Sequence, residues 1–308
     1  MLPRYIVKRL FGAIPTLLIL VTIAFFMIRV APGGPFDADK TLPPEVQANL
    51  DAKYNLDQPL FSQYVTYLGS VLRGDLGPSF QYSDFTVNEL IAEGFPVSIR
   101  LGATALALAL IFGVAIGTVA AWRQNSTLDY ALMGTAMTGI AIPNFVLAPI
   151  LVLVFAVYFG WLPAGGWGDG ELRNMVLPVI ALSLPYMAYV ARLTRGSMVE
   201  TLRSDFVRTA RAKGLPEWKI LGKHSLKVAI LPVVSYLGPA AAAILTGSVV
   251  IEQIFGLPGM GRYFVQGALN RDYTLVMGVV IVIGLLIVVF NLIVDIIYAL
   301  IDPRIRYE

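Results

Sequence analysis

The one histidine of the chain, His224, is followed by Ser225, and together they are its nearest approach to a base and a nucleophile. Such a pair works only when a third group orients the imidazole. The two residues lie in a basic stretch with no carboxylate close in sequence, so the pair is not expected to be catalytic. Neither His-Glu-x-x-His nor Gly-x-Ser-x-Gly occurs, nor does an acidic metal loop. The lack of cysteine removes thiolate metal sites, disulfides and cysteine nucleophiles together. Gly256-x4-Gly261-Arg262-Tyr263 has the glycine spacing of a phosphate loop, but not the lysine and hydroxyl residue that touch phosphate and magnesium. Three polar residues in apolar surroundings remain. Asp295 stands inside the last apolar run, Glu252 ends another, and Asn144 follows Pro143 in a third. Ionisable groups at membrane depth are candidates for a translocation path or gate. The structural alternative is an ion pair of Asp295 with interfacial Arg or Lys, and a helix-to-helix contact for Glu252 and Asn144.

The elements that must hold these residues follow from composition. Of 308 residues, 57% are hydrophobic and 14% charged, against roughly 45–50% and about 25% in soluble domains. Lipid is therefore the solvent for most of the chain. An apolar helix needs about 20 residues to cross a hydrocarbon core of roughly 30 Å. Six charge-free runs of that order occur: Leu10–Ile28, Leu101–Trp122, Tyr130–Gly160, Met175–Ala191, Val228–Ile251 and Tyr273–Val294. The third contains Pro143 and Pro149 and is predicted to be kinked or tilted. The fourth, with Pro178 and Pro185, is only 17 residues long. The first follows Arg4, Lys8 and Arg9, yet its 19 apolar residues exceed the roughly 7–15 of a signal peptide, so an uncleaved span is expected. Gly113-x3-Gly117 permits close helix packing.

Basic residues orient the chain. With the N-terminus in the cytoplasm, 15 of the 23 Lys and Arg lie on the inner side, as the positive-inside rule requires. Nine of them fall between Arg192 and Lys227. Both termini are then cytoplasmic, with Trp161 and Trp167 at the outer interface and Trp122 at the inner one. The basic balance needs no nucleic-acid partner; membrane lipid accounts for it.

Three segments lie outside the lipid. Ala31–Val97, with a net charge of −6, is read as a small extracytoplasmic helical cap. Within it Glu45–Leu56 and Leu60–Leu72 have helical spacing, the second with Leu60, Tyr64, Tyr67, Leu68 and Val71 on one side, and Thr86-Val-Asn-Glu89 matches a capping box. The inner segment 192–227 predicts two short helices joined by a glycine turn. Ser204 or Asp205 caps the first, Gly214 ends it, and Pro216 and Glu217 open the second. Phe206, Val207, Ala210, Ile220 and Leu221 supply an apolar ridge. The outer segment Glu252–Asp272 has Gly256, Gly259 and Gly261 around Pro258, predicting tight turns. Three parts result: residues 1–97, a first span plus cap; 98–302, five helices with the inner segment 192–227; and 303–308, a short tail.

Asp205-Phe-Val-Arg-Thr-Ala-Arg-Ala-Lys-Gly214 resembles the coupling motif of binding-protein-dependent ABC importer permeases, with Arg208, Thr209 and Ala210 in the places of Glu-Ala-Ala and Gly214 at the family's spacing. The missing glutamate suits the peptide-importing branch. Ile142-Pro-Asn-Phe-Val146, Thr194-Arg-Gly-Ser-Met198, Gly247-Ser-Val-Val-Ile-Glu252, Phe255-Gly-Leu-Pro-Gly-Met-Gly261, Asn270-Arg-Asp-Tyr273 and Ile301-Asp-Pro-Arg-Ile-Arg306 are also similar to that branch, oligopeptide permeases of the B-subunit type above all. The resemblance implies an all-α, type I importer membrane domain of six transmembrane helices in the bacterial inner membrane. It implies a transport subunit, not an enzyme, importing oligopeptides, with dipeptides or nickel as alternatives within the family. It implies a second homologous permease subunit, two cytoplasmic ABC ATPase subunits carrying ATP and magnesium, and an extracytoplasmic peptide-binding protein. The chain itself would hold no cofactor and no metal. Phe206, Arg208, Ala210, Arg211, Lys213 and Gly214 would couple to the ATPase, and Pro258, Gly259, Arg262, Arg271 and Asp272 would meet the binding protein. A proton-coupled secondary transporter would carry carboxylates in several spans and internal repeats, where this sequence has one such carboxylate. A membrane-embedded hydrolase would need the nucleophile that His224 and Ser225 do not complete.

Overall fold

The computed structural model describes residues 2–30, 55–82 and 84–301, with isolated positions 45, 49 and 52. The predicted Glu45–Leu56 helix, the break at Ala31–Pro35 and the tail from Asp302 lie wholly or largely outside the described residues. The described chain is helical. Its helices are α1 (Leu2–Val30), α2 (Leu60–Leu72), α3 (Val87–Trp122), α4 (Thr127–Ala141), α5 (Asn144–Tyr158), α6 (Leu172–Leu202), α7 (Asp205–Ala212), α8 (Glu217–Ala229), α9 (Leu231–Phe255), α10 (Met260–Leu269) and α11 (Tyr273–Ile301). Of these, α1, α3, α6 and α11 are each long and apolar enough to cross a membrane, and counting two bent pairs as single spans gives six.

The bent pairs correct the expected boundaries. The run Tyr130–Gly160 is not one kinked helix: α4 and α5 meet at 108°. Ile142 is extended at φ −97°, ψ 118°, as Pro143 behind it demands, and Pro143 itself stands outside α5. The fifth run splits likewise. Val228 belongs to α8, the chain turns by 55° after Ala229, and Pro232 lies in the first turn of α9. The fourth run is only the middle of its helix. Its helix passes through Pro178 and Pro185 and continues to Leu202, taking in Arg192 and Arg195.

Two compact units divide the chain, one made chiefly of Ile99–Leu257 with Ile287–Glu308, the other of Pro3–Ser98 with Pro258–Leu286. In the second unit the capping box is realised. Thr86 N donates to Glu89 Oε2 at 2.8 Å and Glu89 N to Thr86 Oγ1 at 3.3 Å. The helix so begun is α3, so the cap's last helix and the second span are continuous. Leu76, Val87, Leu90 and Ile91 bury against Met260, Leu275 and Val279. The stripe of α2 also packs: Tyr64, Tyr67 and Leu68 cover Val21, Phe25 and Met277. Leu60, predicted on that stripe, is instead 52% exposed. Burial raises the Tyr67 phenol above its usual range.

In the first unit α6 is the spine. A Cβ at Gly113 would meet Met187 O at 2.8 Å, at Gly117 Ala191 O at 2.5 Å, and at Gly139 of α4 Leu184 O at 2.8 Å. Only hydrogen lets these backbones approach so closely. Gly117→Ala is therefore expected to cost about 1–3 kcal/mol by overpacking. Gly134→Ala, where nothing lies within 4 Å, is expected to be neutral or slightly stabilising. Thermal unfolding of the purified protein in detergent checks this; equal midpoints for the two variants would sink the spine assignment.

Candidate functional site

The segment after α6 folds as a helical hairpin. Asp205 opens α7, and Gly214 ends it in the left-handed conformation, φ +73°. Gly214 N donates to Arg211 O at 2.9 Å and Leu215 N to Ala210 O at 3.3 Å, closing the last turn as a Schellman motif. Pro216 precedes α8 by one position rather than sitting in its first turn. Ser204 corrects a second expectation: it flanks α7, but its hydroxyl donates to Thr201 O at 2.6 Å and makes no cap bond. The middle of α8, Ile220–Ser225, is π-wound.

The predicted ridge divides in two. Val207, Ala210 and Ile220 bury together with Leu202 and Leu215 against them, and Leu221 packs instead on Met198 and Ala229. Phe206 is left 46% exposed, and Trp218, which the sequence did not single out, 70% exposed. Arg211 bridges the hairpin, Nε to Glu217 Oε1 at 2.8 Å and Nη2 to Oε2 at 3.4 Å. Arg208 pairs with Asp205 at 3.3 Å, both fully in solvent's reach, where a pair stabilises little. Lys213 and Gly214 are exposed at the turn. The hairpin is thus apolar beneath, cationic and aromatic outside, and braced across its turn. The His224–Ser225 pair does not form: Ser225 Oγ is buried without a hydrogen-bond partner.

An ion pair ties α6, above the hairpin, to α4. Arg195 Nε donates to Asp129 Oδ1 at 2.7 Å and Nη2 to Oδ2 at 2.6 Å. Asn125 N adds a bond to Oδ2 at 2.9 Å, and Ser126 Oγ accepts from Asp129 N at 3.3 Å. Asp129 is 1% exposed. Neither residue was expected from sequence as a site. The available signal was Ser126-x-x-Asp129, a cap at the only acid between the second and third runs.

The remaining candidates are dispersed. Asn144 opens α5 with Oδ1 buried and unpartnered. Glu252 is buried in the last turns of α9, whose end Gly256 closes at φ +63°, and Asp295 is half-buried in α11. Around α10, Pro258 is half-buried and Gly259 buried; Gly259 at φ −97° and the helical Gly261 make no left-handed turn, so of the three outer glycines only Gly256 does. Arg262 and Arg271 are exposed. Arg271 holds a left-handed φ of +57° while Asp272 N donates to Gly267 O at 2.8 Å. Asp272 is fully buried. Its carboxylate accepts from Ser79 Oγ, from Phe80 N at 3.1 Å, Gln81 N at 3.2 Å, Leu275 N at 3.1 Å and Thr274 Oγ1 at 3.0 Å. It ties the loop together and offers no surface to a partner. Nearby, burial and a hydrogen bond to Glu93 push the Tyr263 phenol up to about 12.

A family model described as a binding-protein-dependent transport system inner membrane component matches residues 113–307, and the corresponding N-terminal model matches residues 1–102. The chain is 58% identical over 304 residues to the oligopeptide transport system permease protein OppB of Escherichia coli strain K12, covering 99% of each. It is 46% identical over 303 residues to the dipeptide transport system permease protein DppB of Bacillus subtilis strain 168, covering 98% of each. Among solved structures it is similar to the MetNI methionine ABC transporter in an inward-facing conformation, with a TM-score of 0.57 at 16% identity over 69% of this chain and 96% of that one. That likeness shows the fold, a type I importer membrane domain.

Removing the arginine, whose side chain is itself 28% exposed, strands a buried carboxylate, at about 1–3 kcal/mol. Arg195→Ala is expected to destabilise by that order in detergent unfolding. Asp129→Asn combined with Arg195→Gln should lose clearly less than the two single changes together; strict additivity would show that the pair does not act as a unit.

Proposed function

The chain belongs to the family of binding-protein-dependent transport system inner membrane components, and from that premise we propose that it is the permease subunit of an ATP-driven importer of oligopeptides. The 58% identity over 99% of both chains to a named oligopeptide permease carries the substrate class. The 46% identity to a dipeptide permease makes shorter peptides the second reading. The chain lies in the inner membrane with both termini cytoplasmic. It lines the path with a second, related permease subunit, receives peptide from an external binding protein, and is moved by two ATPase subunits that hold the ATP and magnesium.

The hairpin of α7 and α8 suits the role of lever. Its exposed Phe206, Arg208, Arg211, Lys213 and Trp218 form the face that an ATPase cleft would grip, while buried Ala210 and the left-handed Gly214 set its shape. Because α6 runs to Leu202 and α9 follows α8 directly, displacement of the hairpin passes into both helices. Rigid-body motion of this kind is a standard switching mode. On the outer side, Arg262 and Arg271 are the exposed cations for the binding protein, with Pro258, Gly259 and Asp272 shaping their loop. Asn144, Glu252 and Asp295 remain candidates for the path or its gate.

The test is uptake into vesicles holding the complete transporter, with peptides of graded length. Uptake that persists without ATP and follows a pH gradient would overturn the reading, and preference for dipeptides would favour the second. Gly214→Pro forces φ negative and removes the bond to Arg211 O, a local cost of about 3 kcal/mol. ATPases are expected to co-purify with this variant while uptake falls about tenfold or more; unimpaired uptake would refute the lever. Arg271→Gly removes the guanidinium and relieves a left-handed residue of roughly 1–2 kcal/mol. It should raise thermal stability yet weaken binding-protein-stimulated ATPase activity. Unchanged stimulation would remove Arg271 from the docking face.

A further inference from the structure

Part of α6 serves neither as spine nor as lever. Gly113 and Gly117 of α3 approach it at Met187, Val190, Ala191 and Thr194, and α4 approaches it at Leu184 and Arg195. The face beside α9 carries half-buried Tyr189 and, exposed after it, Arg192, Gly196 and Glu200. Tyr189 stacks on Tyr236 of α9, ring centroids 4.3 Å apart and planes 28° from parallel. The Arg192 guanidinium carbon lies 4.9 Å over the Tyr189 ring. Beyond that ring, no described residue accepts a hydrogen bond or an ion pair from Arg192.

This face is unlike those that suit lipid. The exposed side of α1 carries Phe11, Ile14 and Ile19, and that of α5 Leu153 and Val157. On α9 the exposed positions beside Tyr236 are Pro232, Ser235 and Pro239. Arg192 lies ten residues before the end of α6 and twenty after Leu172, about 30 Å along it, which places it at the inner boundary of the span. A cation at that boundary, with no acidic partner among the described residues, faces water or a partner rather than hydrocarbon. Stacking on Tyr189 holds the guanidinium by its face and leaves its edge donors available, the geometry that receives a carboxylate by two parallel hydrogen bonds.

We infer that Arg192, Tyr189 and Tyr236 form a subsite on the translocation path, in which Arg192 takes the C-terminal carboxylate of a peptide in transit and the stacked tyrosines take an apolar side chain beside it. This rests on the chain being a peptide importer subunit. The experiment uses the complete transporter in vesicles, with two probes: a tetrapeptide with a free C-terminal carboxylate and the same peptide ending in an amide. Arg192→Gln is expected to lower ATP-driven uptake of the free acid about tenfold, as when a charge-assisted hydrogen bond is lost. The amidated peptide should enter variant and wild-type vesicles at equal rates, and Arg192→Lys, which keeps the charge but not the planar pair of donors, should recover only part of the loss. Independently, a photoreactive benzoylphenylalanine in place of Tyr236 should label with the radioactive peptide during turnover. Wild-type vesicles that take up neither peptide would overturn the importer reading itself. Normal wild-type uptake with equal losses for both peptides in Arg192→Gln, with no loss at all, or with no labelling at position 236, would overturn the subsite alone.

Discussion

The close approach of helix backbones at α6 is the constraint from which the membrane domain follows. In lipid no hydrophobic force drives helices together, since the tails are as apolar as leucine. Association depends on contact area and short range, and both require small residues at the crossings. Gly113, Gly117 and Gly139 sit against the Met187, Ala191 and Leu184 carbonyls of α6. The contacts fall on two faces of one helix over little more than two turns. That stretch cannot slide or rotate against its neighbours without a steric clash.

The Asp129–Arg195 pair extends the same clamp toward the hairpin. Its register agrees with that of Gly139 on Leu184: ten residues on α4 answer to eleven on α6 in the opposite direction. Below the pair, α6 stays packed on one side, where Met198 is buried with Ala121 of α3 and Ala229 of α8, and open on the other, where a Cβ at Gly196 would meet nothing. The helix is thus gripped down to Leu202, where the hairpin begins. In the proposed lever, a force on the hairpin would meet a held helix and be passed on as movement of a body.

Much of this was legible in the sequence where one physical signal dominated. The stripe on α2 reproduced its helix from Leu60 to Leu72, because packing on Phe25 demands that periodicity. The capping box and the Gly214 turn were legible because their chemistry is local. The break between α4 and α5 was read as a kink, since hydropathy is continuous through it and only Pro143 marks the extended Ile142. In sequence α6 ends too early, because Arg192 and Arg195 have the look of a loop's start. The helix keeps them because one is paired with Asp129 and the other is laid on Tyr189. Such compensation comes from distant elements and leaves no trace in local composition.

Asp272 shows the same limit from the other side. In sequence it is an acid in an outer loop and invites a docking role. Folded, it takes hydrogen bonds from three backbone amides and two hydroxyls drawn from the 79–81 loop and from its own helix start. Its neighbour Arg271 then pays for the turn in backbone strain that a glycine would not incur. Folding alone would favour glycine there, whereas no substitution at Asp272 would satisfy the same donors. The two adjacent residues therefore separate by purpose. Asp272 answers to the fold, whereas Arg271 holds an exposed side chain at a backbone angle that glycine would adopt without strain.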